Sequence, residues 1–270
     1  MKFNLAAYNK YFQKLRHNLV VNLPNDRIPN ITLSVFERLN STNTKLWELI
    51  DAGTKYPIGA IALQQTAGKG QWGHSWVSKI GGLYLSVGLN LDLDTANCSH
   101  LVMATAWGIA RVLRYYQLPV TIKWSNDLIL DRRKLGGIKI ETRNDKNKLT
   151  KAVVGVGINW RNHVPKPGIN LQSYYQSANI EPINCLEELT AITAYGILLG
   201  YEYYLAIGIE KLCDRYLEIL DSLGKQINLN GCPGEVIGVT TRGELRVKLR
   251  SPSASSIIEL APGQISLGYE

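Results

Sequence analysis

The feature that most constrains this chain is the stretch Gln65-Thr66-Ala67-Gly68-Lys69-Gly70-Gln71-Trp72-Gly73-His74-Ser75-Trp76. Three glycines in six residues let a backbone bend where side chains would clash. A cation, an amide, two indoles and an imidazole stand beside them. Such a loop can close over an anionic ligand, meeting it with backbone N–H groups and Lys69 and covering it with an aromatic ring. The stretch also spells G-x-G-x-x-G. A dinucleotide fingerprint needs a strand before it and a helix after it. The strand is there, at Ile58-Gly59-Ala60-Ile61-Ala62-Leu63, but Gly81-Gly82-Leu83-Tyr84-Leu85-Ser86-Val87 reads as a second strand. A strand–loop–strand unit puts no helix N-terminus under a pyrophosphate, which rules out the dinucleotide reading. Taken alone, the segment reads equally well as an ordinary glycine-rich surface loop.

Further along lie Lys123-Trp124-Ser125-Asn126-Asp127, Lys134-Leu135-Gly136-Gly137-Ile138, and Val153-Val154-Gly155-Val156-Gly157-Ile158-Asn159; upstream lies Asn40-Ser41-Thr42-Asn43. In this order, and with the glycine loop, these segments resemble the biotin protein ligases. That family has Asp-Ser-Thr-Asn, a Gly-Arg-Gly loop, a Lys-Trp-Pro-Asn-Asp block ending in Lys-Leu-x-Gly-Ile, and a Gly-x-Gly-Ile-Asn strand end. The tail from Gly238 to Leu267 resembles the family's small C-terminal domain.

The resemblance implies an ATP-dependent ligase that makes biotinyl-5′-AMP and passes biotin to a lysine of the carboxyl carrier protein of acetyl-CoA carboxylase. It implies Lys134 as the central charge, bridging carboxylate and α-phosphate, and Asp127 as a holder of Mg²⁺ or of the target amine. Biotin contacts fall on Ser41, Thr42, Gln65, Gly68, Lys69, Trp76, Gly137 and Gly155. Contacts to ATP or adenylate fall on Gly70, Gln71, His74, Lys123, Asn126, Gly157 and Asn159. Each residue also has a plainer reading. Lys134 reads as a solvated surface lysine, Asp127 as a turn residue, Trp76 as a core indole, and Gly155 and Gly157 as packing glycines. Ser41 is in addition a good N-cap, and one hydroxyl cannot easily cap and bind at once; ligand contact is favoured for Thr42. Lys69, Gln71 and His74 stand where family members carry arginine, which removes forked contacts to the intermediate. Ser125 replaces a proline. A lipoate or octanoate ligase of the same fold is the alternative. A biotin-sensing repressor is the more distant one, because a winged helix needs about 60 residues and only 40 precede Ser41.

The 270 residues carry a net charge of +8. Lys2, Lys10, Lys14 and Arg16, with no acid before Asp26, supply half of it. Within that arm Leu5, Tyr8, Phe12, Leu15 and Leu19 form a helical apolar stripe, read as an arm packed on the main domain; a targeting peptide is the other possibility, with serine scarce. A basic arm alone offers only non-specific contact with nucleic acid, so no specific DNA partner is expected. No apolar run of membrane-spanning length is read, and Cys98, Cys185, Cys213 and Cys232 are too far apart for a zinc motif. The expectation is a cytoplasmic monomer or weak homodimer with reduced thiols.

Three units are expected: a basic arm over 1–29, a catalytic domain over 30–222 and a small domain over 223–270. The catalytic domain is expected to be α+β, a mixed sheet with helices on one side, as in the class II aminoacyl-tRNA-synthetase-like fold of the ligases. Residues 160–182, with four prolines and glycines, read as irregular. Five short strands at 225–230, 235–240, 244–249, 256–260 and 264–268 suggest an SH3-like barrel.

Overall fold

The computed structural model describes residues 2–19, 28–250, 255–265 and 267–268. In chain order the elements are α1 (Leu5–Asn18), β1 (Thr32–Leu39), α2 (Thr42–Asp51), β2 (Ile58–Gln65), β3 (Leu83–Asp94), α3 (Cys98–Tyr115), β4 (Thr121–Lys123), β5 (Asp127–Leu130), β6 (Arg133–Asp145), β7 (Lys148–Ile158), α4 (Leu171–Ala178), α5 (Leu186–Leu217), β8 (Gln226–Leu229), β9 (Cys232–Val239), β10 (Leu245–Arg250) and β11 (Ser255–Leu260).

Strands β1 to β7 form one sheet in the order β1-β2-β3-β7-β6-β5-β4. β1 and β2 run parallel, with α2 as their crossover, and the other neighbours are antiparallel, so the sheet is mixed. The alternation along β3 shows why both faces are covered. Leu83, Leu85, Val87 and Leu89 join the main core with α3 and α5. Ser86, on the opposite face, reaches Thr42 and Asn43 of α2. Leu46 and Ile50 of α2 build a second small core with Ile58, Ala60 and Val153. The expectation of helices on one side therefore needs correcting: the long helices share one face, and α2 covers part of the other.

Helices α3 and α5 cross at glycines. A Cβ on Gly108 would strike the carbonyl of Gly196, and one on Gly200 would strike the carbonyl of Ala104. By length and composition α5 is apolar enough to cross a membrane, yet most of that stretch is buried inside this core. The basic arm packs on α5. Tyr8, Phe12 and Leu15 are buried, with the Phe12 ring 5.9 Å from that of Tyr195. Asn4 caps α1 through Ala7 N–H, and its own N–H donates to Glu187 at 2.7 Å. Of the expected stripe only Leu5 is exposed. Residues 20–27, which follow the arm helix and for which the sequence suggests a turn-rich linker over Pro24–Pro29, lie outside the described residues.

Residues 160–182 are not irregular throughout. α4 begins at Asn170, whose side chain accepts from Ser173 N–H, and ends at Asn179 in the left-handed region, φ 53°. The neighbouring prolines hid a two-turn helix. At the C-terminus, four strands form an antiparallel sheet in the order β11-β10-β9-β8. The described residues of the fifth expected strand, 264–268, are not in a strand, and Ser266 lies outside the described residues. The turn between β9 and β10 is fastened to the larger sheet's core. Gly243 O accepts from Trp124 Nε1 at 3.0 Å, Arg242 O from Ser99 Oγ at 2.6 Å, and Thr241 O lies 2.7 Å from His100 Nε2.

Replacing Gly200 by alanine tests the helix crossing. In an unhindered helix interior the change stabilises by about 0.5–1 kcal/mol. Here the added carbon meets backbone, so Gly200→Ala is expected to cost about 1–3 kcal/mol of unfolding free energy, read as a lower urea midpoint. A raised midpoint would contradict the crossing.

Candidate active site

The glycine loop leaves the sheet between β2 and β3 and folds back on itself. Trp76 N–H donates to Gly68 O at 2.9 Å, Gly70 N–H to His74 O at 2.6 Å, and Lys69 bridges Ser75. Gly68 has no room for a side chain, since a Cβ would collide with the Trp76 carbonyl and the Ser78 hydroxyl. Trp72 takes the left-handed conformation, φ 52°, and stays exposed.

Facing the loop is the N-terminus of α2, with Ser41, Thr42 and Asn43 all buried. Gln65 ties the two together. Its Oε1 accepts from Thr42 N–H at 2.8 Å and from the Thr42 hydroxyl at 3.1 Å, and its Nε2 donates to Ser78 Oγ at 2.8 Å. Behind them Ser86 Oγ donates to Asn43 Oδ1 at 2.6 Å and stands 2.8 Å from Thr42 Oγ1. Ser41 has the extended backbone of an N-cap but makes no side-chain cap bond. The Ser41 hydroxyl is thus not used for capping, and the Thr42 hydroxyl, held by Gln65 and Ser86, lines the cavity beside it.

The floor is the β6–β7 ladder, where Gly137 pairs with Gly157 and Lys139 with Gly155. A Cβ on Gly155 would run into the Asn43 amide, and one on Gly157 into the Trp76 indole. Bare backbone here is what lets α2 and the loop lie so close to the sheet. Asn43 Nδ2 and Trp76 Nε1 are buried donors with no partner among the described residues. Buried donors normally find acceptors, and both residues line the cavity.

Lys134 and Asp127 form an ion pair, Nζ to Oδ1 2.7 Å, and Lys134 Nζ sits 5.6 Å from the centroid of a Trp76 ring. Asn126 donates to Ile138 O at 2.9 Å, holding β5 to β6 beneath them. The cavity gathers Ser41, Thr42, Gln65, Lys69, Gly70, Gln71, Trp76, Asn126, Asp127, Lys134, Gly137, Gly155 and Gly157 from the expected set. Trp76 and Lys134 also line a second cavity with Asn159, Asn162, His163 and Pro165. Asn159 therefore belongs to this neighbour; its Oδ1 accepts from Asn162 Nδ2 at 3.1 Å.

Besides Asn159, three expected residues are not on the cavity wall. Gly68 is buried within the loop, against Trp76 and Ser78. His74 is exposed, with its carbonyl turned to Gly70. Lys123 is buried and lines a separate cavity with Arg132, Asp221 and Lys225. Sequence reasoning passed over Asn43 and Lys139. Asn43 was visible within Ser-Thr-Asn, and Lys139 through its period-2 spacing from Gly137. The Trp124–Ser125 peptide bond, where the family has proline, is cis.

Residues 35–159 match the model of the biotin/lipoate A/B protein ligase family. The bifunctional ligase/repressor BirA of Escherichia coli is 35% identical over 130 residues, 47% of this chain and 40% of that protein. The biotin–[acetyl-CoA-carboxylase] ligase of Paracoccus denitrificans is 27% identical over 125 residues, 45% of this chain and 52% of that protein. The solved biotin protein ligase from Aquifex aeolicus in complex with biotin and ATP superposes with a TM-score of 0.70 at 22% identity, covering 88% of this chain and 99% of that one. Residues 35–159 thus resemble the biotin/lipoate A/B protein ligase family, and the chain shares the fold of the biotin protein ligase from Aquifex aeolicus. The matched stretches span about two fifths to half of these curated relatives' length.

Burial lowers the pKa of Lys123 to about 8, against the opposing pull of Asp127. A base depressed in the folded state stays neutral there while the unfolded chain takes up a proton. Wild-type stability is therefore full above the ordinary lysine value and falls as pH drops from about 10.5 to about 8. Relative to Lys123→Met, the wild type should gain about 1–3 kcal/mol on raising pH across that window. Parallel denaturation of the two proteins at pH 8 and 10.5 checks this; a pH-independent difference would contradict it.

Proposed function

We propose that this chain is an ATP-dependent biotin protein ligase. A biotin carboxylate oxygen attacks the α-phosphorus of ATP, and pyrophosphate leaves, giving biotinyl-5′-AMP. A lysine amine of a carrier domain then attacks the acyl carbon, loses a proton, and AMP leaves as the amide forms.

The observation that carries the reading is that Lys134 and Trp76 line two adjoining cavities at once. One is walled by hydroxyls, amides and bare glycine backbone, which suits a neutral polar ring on an aliphatic chain. The other, with Asn159, Asn162 and His163, suits an adenosine. The reacting carboxylate and α-phosphate then meet at the shared wall, within reach of the Lys134 ammonium. Charge on those oxygens grows in both steps, and a preorganised cation there lowers the barrier. Asn43 Nδ2, without a partner among the described residues, supplies a donor for the ureido carbonyl, and the Ser41 hydroxyl stands beside it. Lipoate or octanoate ligation shares the family, but a fatty acyl head would leave that donor buried and unsatisfied, a loss of about 1–3 kcal/mol.

Among the described residues no three histidines, cysteines or carboxylates cluster. Mg²⁺ commonly binds through one or two carboxylates plus substrate phosphates and water, which fits Asp127 as its single protein ligand; the ion would neutralise phosphate charge. In the second step Asp127 orients the incoming amine. The C-terminal sheet, read as an SH3-like barrel, helps position ATP or the carrier, the carboxyl carrier protein of acetyl-CoA carboxylase. The setting is cytoplasmic, as a monomer or weak homodimer.

Incubation with biotin, ATP·Mg²⁺ and a carrier domain, followed by streptavidin detection, tests the reading. The wild type should label one carrier lysine. Lys134→Ala should label none while keeping wild-type circular dichroism, because its ammonium is used as charge and not as packing. Labelling near the wild-type rate by the folded variant would remove Lys134 from the centre of the site.

A further inference from the structure

Three lysines line the catalytic cavity. Lys134 pairs with Asp127, and Lys69 donates to Thr44 Oγ1 at 3.2 Å. The third, Lys139, stands on the floor. It faces Gly155 across the ladder and follows Gly137 by two residues, so its stem rises on the cavity side between glycines. Its ammonium donates to Gly70 O, in the first half of the glycine loop, at 2.9 Å. Glu141 Oε1 lies 3.8 Å from it and steadies the charge.

The loop's own side chains hold it weakly. Gln71 Nε2 reaches Ile138 O only at 3.4 Å, and His74 and Trp72 are exposed. Lys139 reaches the loop backbone from the opposite direction, out of the rigid sheet. Lys139 and Gln71 also separate the cavity from a neighbouring groove lined by Trp72, Met103 and Ile140. If this loop segment lifts, the cavity opens toward that groove.

We propose that Lys139 is the latch of the glycine loop, a positioning residue that holds the loop shut over the activated acid through the Gly70 carbonyl. Retention of the intermediate is thereby assigned to the sheet, where the loop lacks arginine. An ammonium has three donors, so holding Gly70 leaves others for an anionic ligand oxygen. The inference rests on the cavity being the site of acyl-adenylate formation.

Hydrogen exchange of the free enzyme tests the latch without acid or ATP. Lys139→Met keeps the stem and removes the donor. Amides of residues 69–75 should exchange about tenfold faster than in the wild type, measured relative to amides of β3 and β7, which is the scale of one charge-assisted hydrogen bond. Lys139→Arg should restore most of the protection. Labelled biotinyl-AMP should leave Lys139→Met about tenfold faster than it leaves wild type, with Lys139→Arg again close to wild type. Unchanged relative exchange in Lys139→Met, or equal exchange in the Arg and Met variants, overturns the proposal. So does release from Lys139→Met at the wild-type rate, where the wild type forms the adenylate. A wild type that forms no biotinyl-AMP, with the exchange result intact, overturns the ligase reading and leaves the latch standing.

Discussion

The site depends on a strip of sheet without side chains. Where β6 and β7 pair Gly137 with Gly157, and where Gly155 follows, the backbone itself is the cavity floor. Adding one carbon at Gly155 would drive it into Asn43, and at Gly157 into Trp76. The N-terminus of α2 and the end of the glycine loop can approach only because those carbons are missing. Their approach makes the walls. Close-packed interiors do not absorb such changes by small continuous shifts, so Gly155 and Gly157 fix the width of the cavity as firmly as any hydrogen bond.

On that floor the charges are placed asymmetrically. Lys69, Lys134 and Lys139 line the cavity, with Asp127 the carboxylate among the lining residues. The Lys134–Asp127 pair is short, but both side chains keep solvent contact, at 29% and 15% exposure. A pair in such a setting contributes little to folding. Its worth is in being preformed: Lys134 is held on the cavity wall beside Trp76, with Asp127 at its side. The hydroxyl–amide chain through Thr42, Gln65, Ser78 and Ser86 serves a different end. It fastens α2 to the loop and to β3, with Ser41 and Asn43 beside it on the cavity wall.

Much of this was legible in the sequence, for identifiable reasons. Glycine punctuation between two apolar stretches marks β2, the loop and β3, and a helical apolar stripe marks α1. The ordered motifs bring most of the expected residues to one cavity. What was not legible depends on long-range packing. That α2 covers the second face follows from Val153 and Ile58 meeting Leu46, a contact no local pattern encodes. α4 is short and surrounded by prolines, so its cap at Asn170 was the only clear sign. Lys123 belongs to the same block as Asn126 and Asp127, yet it is buried beside a different cavity. Linear adjacency in a motif did not decide which wall a side chain joins. Lys139 directly follows the Lys-Leu-Gly-Gly-Ile motif, and its part emerges only once the loop is seen folded back over the sheet.

The central claim is that this cavity activates biotin and not a fatty acid. It is tested most directly by ATP–pyrophosphate exchange with purified protein and biotin, lipoate or octanoate as the added acid. The account predicts exchange that depends on biotin, with lipoate and octanoate near background. Exchange driven equally well by octanoate or lipoate, or independent of any added acid, would contradict it.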